Sequence, residues 1–205
     1  VGNKVTIRAG SDAVVNNVYG ALSNGTWSNG KGMDGEVTGN KVTIESGDVR
    51  TDVVGGESTS SAYNAATVTK NEVTITGGVV HGNVYGGITG ADLPTGNDKL
   101  EKSSSGNIVT ITGGRIGGLR KDGSTVDSAI YGGYARGTNK TVETGNTINL
   151  GSEDGQYGAD LTHTTIYGGA TRADDNTLNV KAKNITVKAV YNFQNYKFFL
   201  TDQIK

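Results

Sequence analysis

The stretch N-E-V-T-I-T-G-G-V-V-H-G-N-V-Y-G-G, residues 71–87, contains two short β-branched bursts, each closed by a glycine pair, with one histidine between them. Whether His81 is a functional group or part of a scaffold depends on whether the phrase is unique. It is not. Copies of its first half stand at 2–10 (GNKVTIRAG), 39–47 (GNKVTIESG), 107–114 (NIVTITGG) and 145–151 (GNTINLG), with a degenerate copy, NTLNV, starting at Asn176. The leading asparagines Asn3, Asn40, Asn71, Asn107 and Asn146 fall 31 to 39 residues apart. The second half recurs as VYGA at 18–21, VVGG at 53–56, VYGG at 84–87 and IYGG at 130–133 and 166–169.

Each half reads as a short strand. Strand side chains alternate between faces, so Val5 and Ile7, Val42 and Ile44, Val73 and Ile75, Val109 and Ile111, and Ile148 and Leu150 share an interior, while Thr6, Thr43, Thr74 and Thr110 point outward. Glycine returns three residues past the isoleucine, at Gly10, Gly47, Gly78 and Gly114, where a turn with φ > 0 or a close backbone approach demands it. One unit cannot bury its apolar stripe alone, so the copies must stack, strand on equivalent strand. The expected fold is all-β: a parallel β-solenoid, in the form of a right-handed β-helix of about five to six coils with variable loops. The alternative is an antiparallel sandwich, which has no need of a long repeat. In the stacked arrangement the five asparagines occupy one corner, each amide bonding to the coils above and below. Tyr19, Tyr85, Tyr131 and Tyr167 form a second column, which is either architecture or a platform for sugar rings; recurrence favours architecture. Residues 1–178 are read as repeats and 179–205 as a C-terminal coil of the same domain, with Tyr191, Phe193, Tyr196, Phe198 and Phe199 as an aromatic cap over the open end.

Composition narrows the function. Nineteen Lys+Arg balance 20 Asp+Glu for a formal charge of −1, which gives no field to hold nucleic acid or anionic lipid. No apolar run approaches the roughly 20 residues of a membrane helix. With no cysteine there is neither a disulfide framework nor a thiolate zinc site. The chain opens at Val1, two residues before a repeat, which reads as a piece of something longer.

The combination of N-x-V-T-I-x-x-G, V/I-Y-G-G and the closing K-N-I-T-V-K-A-V-Y-N-F-Q-N-Y-K-F-F-L at 183–200 resembles the passenger regions of bacterial autotransporter adhesins, exported by the type V route. The resemblance implies a passenger displayed at the bacterial surface or outside the cell, facing a host-cell or bacterial surface protein or glycan. It also implies an anchor and translocating barrel downstream, outside these residues, and no membrane insertion by this segment.

The candidate chemistry is thin. His81 and His163 are the only histidines, and a lone imidazole without a partner constellation reads as a solvated surface group. Glu153 with Asp154, and Arg172 with Asp174 and Asp175, are the carboxylate groupings that a polysaccharide lyase or hydrolase on such a scaffold would need, but adjacent carboxylates on a strand face opposite ways. The calcium-binding G-G-x-G-x-D nonapeptide is absent. An ice-binding ladder is spoiled by Arg8, Glu45, Thr76 and Thr112 beside the threonines. No catalytic residue, metal or cofactor is expected. Recognition belongs instead to the inserts at 22–38, 88–106, 117–129 and 151–164, which differ from one another. The third and fourth are expected to meet in one composite surface carrying Arg120, Lys121, Asp122, Glu153, Asp154 and Tyr157. The expected role is a cell-surface adhesin or stalk; a polysaccharide-active enzyme and a non-binding spacer are the alternatives.

Overall fold

The computed structural model describes the chain apart from residues 9, 11, 25–26, 29–30, 33–34, 60–65, 91–101, 137–140, 172 and 200–205, and apart from the side chains of 27, 28, 31 and 32. Its described residues form strands and turns and no helix. The V-T-I strands pair in parallel and in register. Val5, Val42, Val73 and Val109 align, as do Ile7, Ile44, Ile75 and Ile111, and Ile148 and Leu150 continue the two columns. Inward residues of this ladder are almost completely buried, with Ile44, Ile75, Ile111 and Ile148 at 0% exposure. The V/I-Y-G-G segments form a second parallel ladder through Val18, Val53, Val84, Ile130 and Ile166. Both ladders send their branched side chains into one core.

The right-handed β-helix of five to six coils is corrected by how these strands join. Glu72–Val80, Ile108–Ile116, Ser128–Ala135 and Gly158–Gly169 are long enough to carry pairing from one ladder into the next. As a result, the strands join in one 18-stranded pairing network, nine of them in a nearly closed, barrel-like parallel sheet, with a separate five-stranded sheet beside it. The V-T-I ladder also has seven rungs, Lys4–Ile7, Lys41–Ile44, Glu72–Val80, Ile108–Ile116, Thr147–Leu150, Thr177–Val180 and Asn195–Phe198. The physical reason for the continuity lies at the glycines. Gly47, Gly78 and Gly114 sit at φ 91°, 80° and 82°, where the register shifts past Thr76 and the chain bends without leaving the sheet. Of the closing aromatics, Tyr196 and Phe198 occupy the ladder positions of Leu178 and Val180 on the last described rung and are 51% and 66% exposed, while Phe193 is buried against the core.

The second sheet is built from Gly35–Thr38, Ala66–Thr69, Lys102–Ser105, Thr141–Thr144 and Ala173–Asp174. Around it the interior is polar, with Ser58, Thr89, Lys102, Ser104, Thr141 and Glu143 all buried. Glu143 is satisfied by main chain: its carboxylate accepts from the Ala135 N–H at 2.7 Å and the Thr171 N–H at 2.8 Å.

At the corner between the polar and apolar compartments runs a buried asparagine column. Asn71 Oδ1 accepts from both the backbone N–H and the Nδ2 of Asn40, at 3.0 and 2.8 Å. Asn107 does the same for Asn71, at 3.1 Å each, and Asn146 for Asn107, at 3.0 and 3.1 Å. Asn176 accepts the Asn146 N–H at 2.8 Å, and Gln194, with its longer amide, accepts that of Asn176 at 2.9 Å. The first glycine of each Y-G-G backs onto this column. A Cβ on Gly86 would lie 2.3 Å from the Gly132 carbonyl oxygen and 2.9 Å from the Asn107 Cβ, so no side chain fits.

Asn107→Ala removes the acceptor for two buried donors of Asn71, and each orphaned group costs about 1–3 kcal/mol. Urea denaturation should therefore show a much lower midpoint for this variant than for Asn3→Ala, whose asparagine stands exposed at the end of the column. On the adjacent strand, Ile75→Asp buries a charge at a fully enclosed position and should abolish the cooperative transition in circular dichroism. Thr74→Asp, half exposed on the outer face, should leave the transition in place.

Candidate functional site

A third set of short strands follows each turning glycine. In D-V-R at 48–50 and V-V-H at 79–81 the central valines, Val49 and Val80, are inward and fully buried, which places their neighbours on the outer face. His81 is on that face, yet it is only 8% exposed. The expected solvated imidazole is thus corrected. The chain leaving the next tier, anchored by the Gly117 N–H to the Val80 carbonyl at 2.8 Å, rises into an antiparallel hairpin of Gly118–Leu119 against Thr125–Val126. The tip residues of that hairpin line the same cleft as His81.

The cleft has a volume of about 480 Å³. Arg120, Lys121 and Asp122 come from the hairpin; Asp48, Arg50, Thr51 and His81 come from the two tiers below it, and Val14 stands at the rim. His81 Nε2 lies 3.1 Å from Asp48 Oδ1, and Lys121 Nζ is 3.9 Å from Asp48 Oδ2. The imidazole and carboxylate face one another at ion-pair distance without hydrogen-bond geometry, so Asp48 Oδ1 and the enclosed His81 Nδ1 have no hydrogen-bond partner. Asp122 is committed to its own turn. It accepts from the Ser124 N–H at 2.9 Å and the Ser124 hydroxyl at 2.6 Å, and these bonds hold its carboxyl below the usual range. The Thr51 hydroxyl is likewise occupied, by the Asn16 carbonyl at 2.5 Å and by Asn17 Oδ1. Among the described residues that line the cleft, none offers this histidine–carboxylate pair an uncommitted hydroxyl to activate as a nucleophile.

Glu153, Asp154 and Tyr157 are not part of this cleft. Glu153 pairs with Lys181, and Asp154 accepts from the Ser152 hydroxyl inside its own turn. Tyr157 packs on the apolar core. Asp154 and Tyr157 line a separate cleft of about 810 Å³ with Thr76, Thr112, Ser152 and Gln156, and the two clefts share no lining residue. The two inserts do meet, through Asp127 of the third, which pairs with Lys188 and stands 3.5 Å from His163 Nδ1 of the fourth, but the six candidate residues divide between the two sides of that contact.

The remaining sequence candidates separate as well. Asp175 accepts from Asn195 Nδ2 at 2.9 Å, Asp174 is exposed, and Arg172 lies outside the described residues, as does 91–101 of the second insert. Among the described residues no group of three His, Asp or Glu side chains is placed to hold a metal. Asp48, Arg50 and His81 escape sequence reasoning as a set. Their signal is the short strand after the glycine, D-V-R and V-V-H, whose register sets Arg50 and His81 in one column.

The shared faces of the tyrosine column from Tyr85 to Tyr191 are closed to sugars. Tyr85 and Tyr131 stack at 5.1 Å with planes 5° apart, Tyr131 and Tyr167 at 4.8 Å and 10°, and Tyr191 extends the stack at 5.4 Å. Tyr134 packs edge-on against Tyr85 and Tyr131 at 5.6 and 5.0 Å. Faces that cover each other cannot stack on a pyranose. Val54 takes the tyrosine's place in the second tier and isolates Tyr19 from the stack.

Comparison with protein families, with characterised proteins and with solved structures finds no match for this chain.

Burial, with Asp52 adding to it for Tyr85 and Tyr167 for Tyr131, pushes both phenols from 10.0 up to about 12. The folded state thus holds these protons more tightly than the unfolded chain does. Stability from this source is intact below pH 10 and is lost as pH rises from 10 to about 12. Alkaline titration followed by tyrosinate absorbance should show a late-titrating class coincident with unfolding, and Tyr131→Phe should diminish that class.

Proposed function

We propose that this chain is a recognition module of a bacterial cell-surface adhesin, or of the stalk that displays one, and that it meets its ligand through a hairpin grafted on the repeat scaffold. The observation that carries this reading is the cleft between that hairpin and the sheet, where cationic and polar side chains converge from three separate segments. The hairpin interrupts nothing structural. On one side Gly117 remains bonded to Val80, and on the other Ser128 and Ala129 pair directly with Thr164 and Thr165. An insertion that leaves the ladder intact is free to diverge, which is where binding residues concentrate on rigid scaffolds. Binding is favoured over polysaccharide cleavage because the cleft's two carboxylates are differently engaged, Asp122 by Ser124 and Asp48 facing His81, rather than poised as an acid and base across a bond.

The test replaces residues 119–125 by a two-glycine link. Circular dichroism and thermal melting should match the parent chain, because Gly118 and Val126 already face each other across the hairpin. Adhesion of the purified chain to host cells or immobilised glycans should be lost. Unchanged adhesion by the folded variant would overturn the reading and move recognition to another insert, whereas no adhesion by the parent chain would leave it as a spacer.

A further inference from the structure

If the hairpin cleft is the recognition site, its side chains also select a ligand class. Resting on that reading, we propose that the cleft binds a carboxylated sugar, a hexuronate or sialic-acid type residue, through Arg50 of the lower tier and Arg120 of the hairpin.

Most of the charges in the cleft are already engaged. Asp48 is approached by His81 and Lys121, and Asp122 is bonded by Ser124. Arg50 and Arg120 both line the cleft, are exposed, and enter no ion pair among the described residues. Both are rooted in fixed backbone. The Arg50 N–H donates to the Val15 carbonyl at 2.9 Å, and Arg120 is held on both sides of its peptide, donating to the Ser124 carbonyl at 2.7 Å and accepting from the Gly123 N–H at 3.0 Å. A guanidinium presents a planar fork that matches a carboxylate with two parallel hydrogen bonds, so two such forks on ordered walls form a receptor for a planar monoanion.

The same cleft disfavours denser anions. Asp48 and Asp122 lie among the cations, and their charge opposes a dianionic phosphate more than a single carboxylate. Those carboxylates suit hydroxyls instead. The Asp48 side chain keeps 23% exposure although its Oδ1 is enclosed against His81, so a ligand hydroxyl can approach the outer part of the carboxylate. Val14, 49% exposed at the rim, offers an apolar surface for the C–H face of a ring. One negative group, several hydroxyls and one apolar face together describe an acidic sugar. A volume of about 480 Å³ lies within the usual range for small-ligand clefts.

The test titrates the full chain with methyl glucuronide, a methyl sialoside, methyl glucoside and inorganic sulfate, reading the imidazole resonances of His81 by NMR and affinity by calorimetry. At least one carboxylated sugar should shift His81 and bind, and which one responds distinguishes the two sources of carboxylate. Methyl glucoside and sulfate should bind at least about tenfold more weakly, the scale of losing a charge-assisted hydrogen-bonded pair. Arg50→Ala with Arg120→Ala should lose about tenfold or more with an unchanged circular dichroism spectrum, whereas Arg8→Ala, outside the cleft, should bind as the parent. Equal binding of glucoside or sulfate, parental affinity in the double variant, or no carboxylated sugar bound would each overturn the proposal. Failure here combined with adhesion that still depends on the hairpin would leave the recognition reading standing with another ligand. Adhesion independent of the hairpin would remove that reading as well.

Discussion

Everything in this molecule depends on the asparagine column and the glycine that lets it exist. A parallel stack has no hairpin to set its register, so something must penalise a slip between repeats. An asparagine amide carries both an acceptor and donors, and can therefore serve the tier on either side; an aspartate column would place acceptor on acceptor in a buried, charged line. Here each Oδ1 from Asn71 to Asn146 takes two donors of the preceding asparagine. A slip of one residue would leave those groups buried and unpaired. The column stands so close to the Y-G-G backbone that the Asn146 Cβ would be 2.8 Å from a Cβ on Gly132. The two repeated motifs, though separated along the chain, are thus one packing unit.

That corner also explains how a chain with 34% hydrophobic content builds a stable interior. The apolar side of the column is filled by valine, isoleucine and leucine from two ladders. On the other side, hydrogen bonds replace apolar contact: Asn107 Nδ2 donates to the Val68 carbonyl at 3.2 Å, the Ser104 hydroxyl to the Gly87 carbonyl at 2.9 Å, and Arg136 pairs with Glu57 at 2.8 Å. Buried polar groups are costly when unpaired and nearly neutral when satisfied. The second compartment can therefore be assembled from serine, threonine and charged residues, types that a composition count assigns to the surface.

The legible part of the sequence is whatever repeats. V-T-I register, the asparagine corner, the positive φ of Gly47, Gly78 and Gly114 and the tyrosine stack all come from spacing, because each copy must meet its equivalent. What is not legible depends on single occurrences. Gln194 ends the asparagine column with a different residue type, and Asn195–Phe198 fills a rung without matching its motif. How the long strands merge the ladders into one curled sheet is set by bends at glycine, which the motif marks as turns without saying whether pairing continues through them. His81 reads as solvated in the sequence because its burial comes from a hairpin of the next tier, and nothing within 71–87 encodes that cover.

The same physics decides where a charged site can be placed. Equivalent residues of adjacent tiers lie about 4.8 Å apart, so a repeated cation would stack on itself and repel. The outer row beside the core shows the avoidance: Val14, Asp48, Val79, Arg115 and Asp160 alternate neutral and charged residues, and where two charges meet, Arg115 and Asp160 are opposite in sign. That row therefore gathers no positive charge, and where Lys4 and Lys41 stand side by side in the V-T-I ladder the next residue of the column is Glu72. Gathering Arg50, Arg120 and Lys121 around one cleft draws on side chains from different columns, with at least one segment that leaves the ladder. The hairpin after Gly117 is that segment, and it folds back over the two tiers that carry Asp48 and His81.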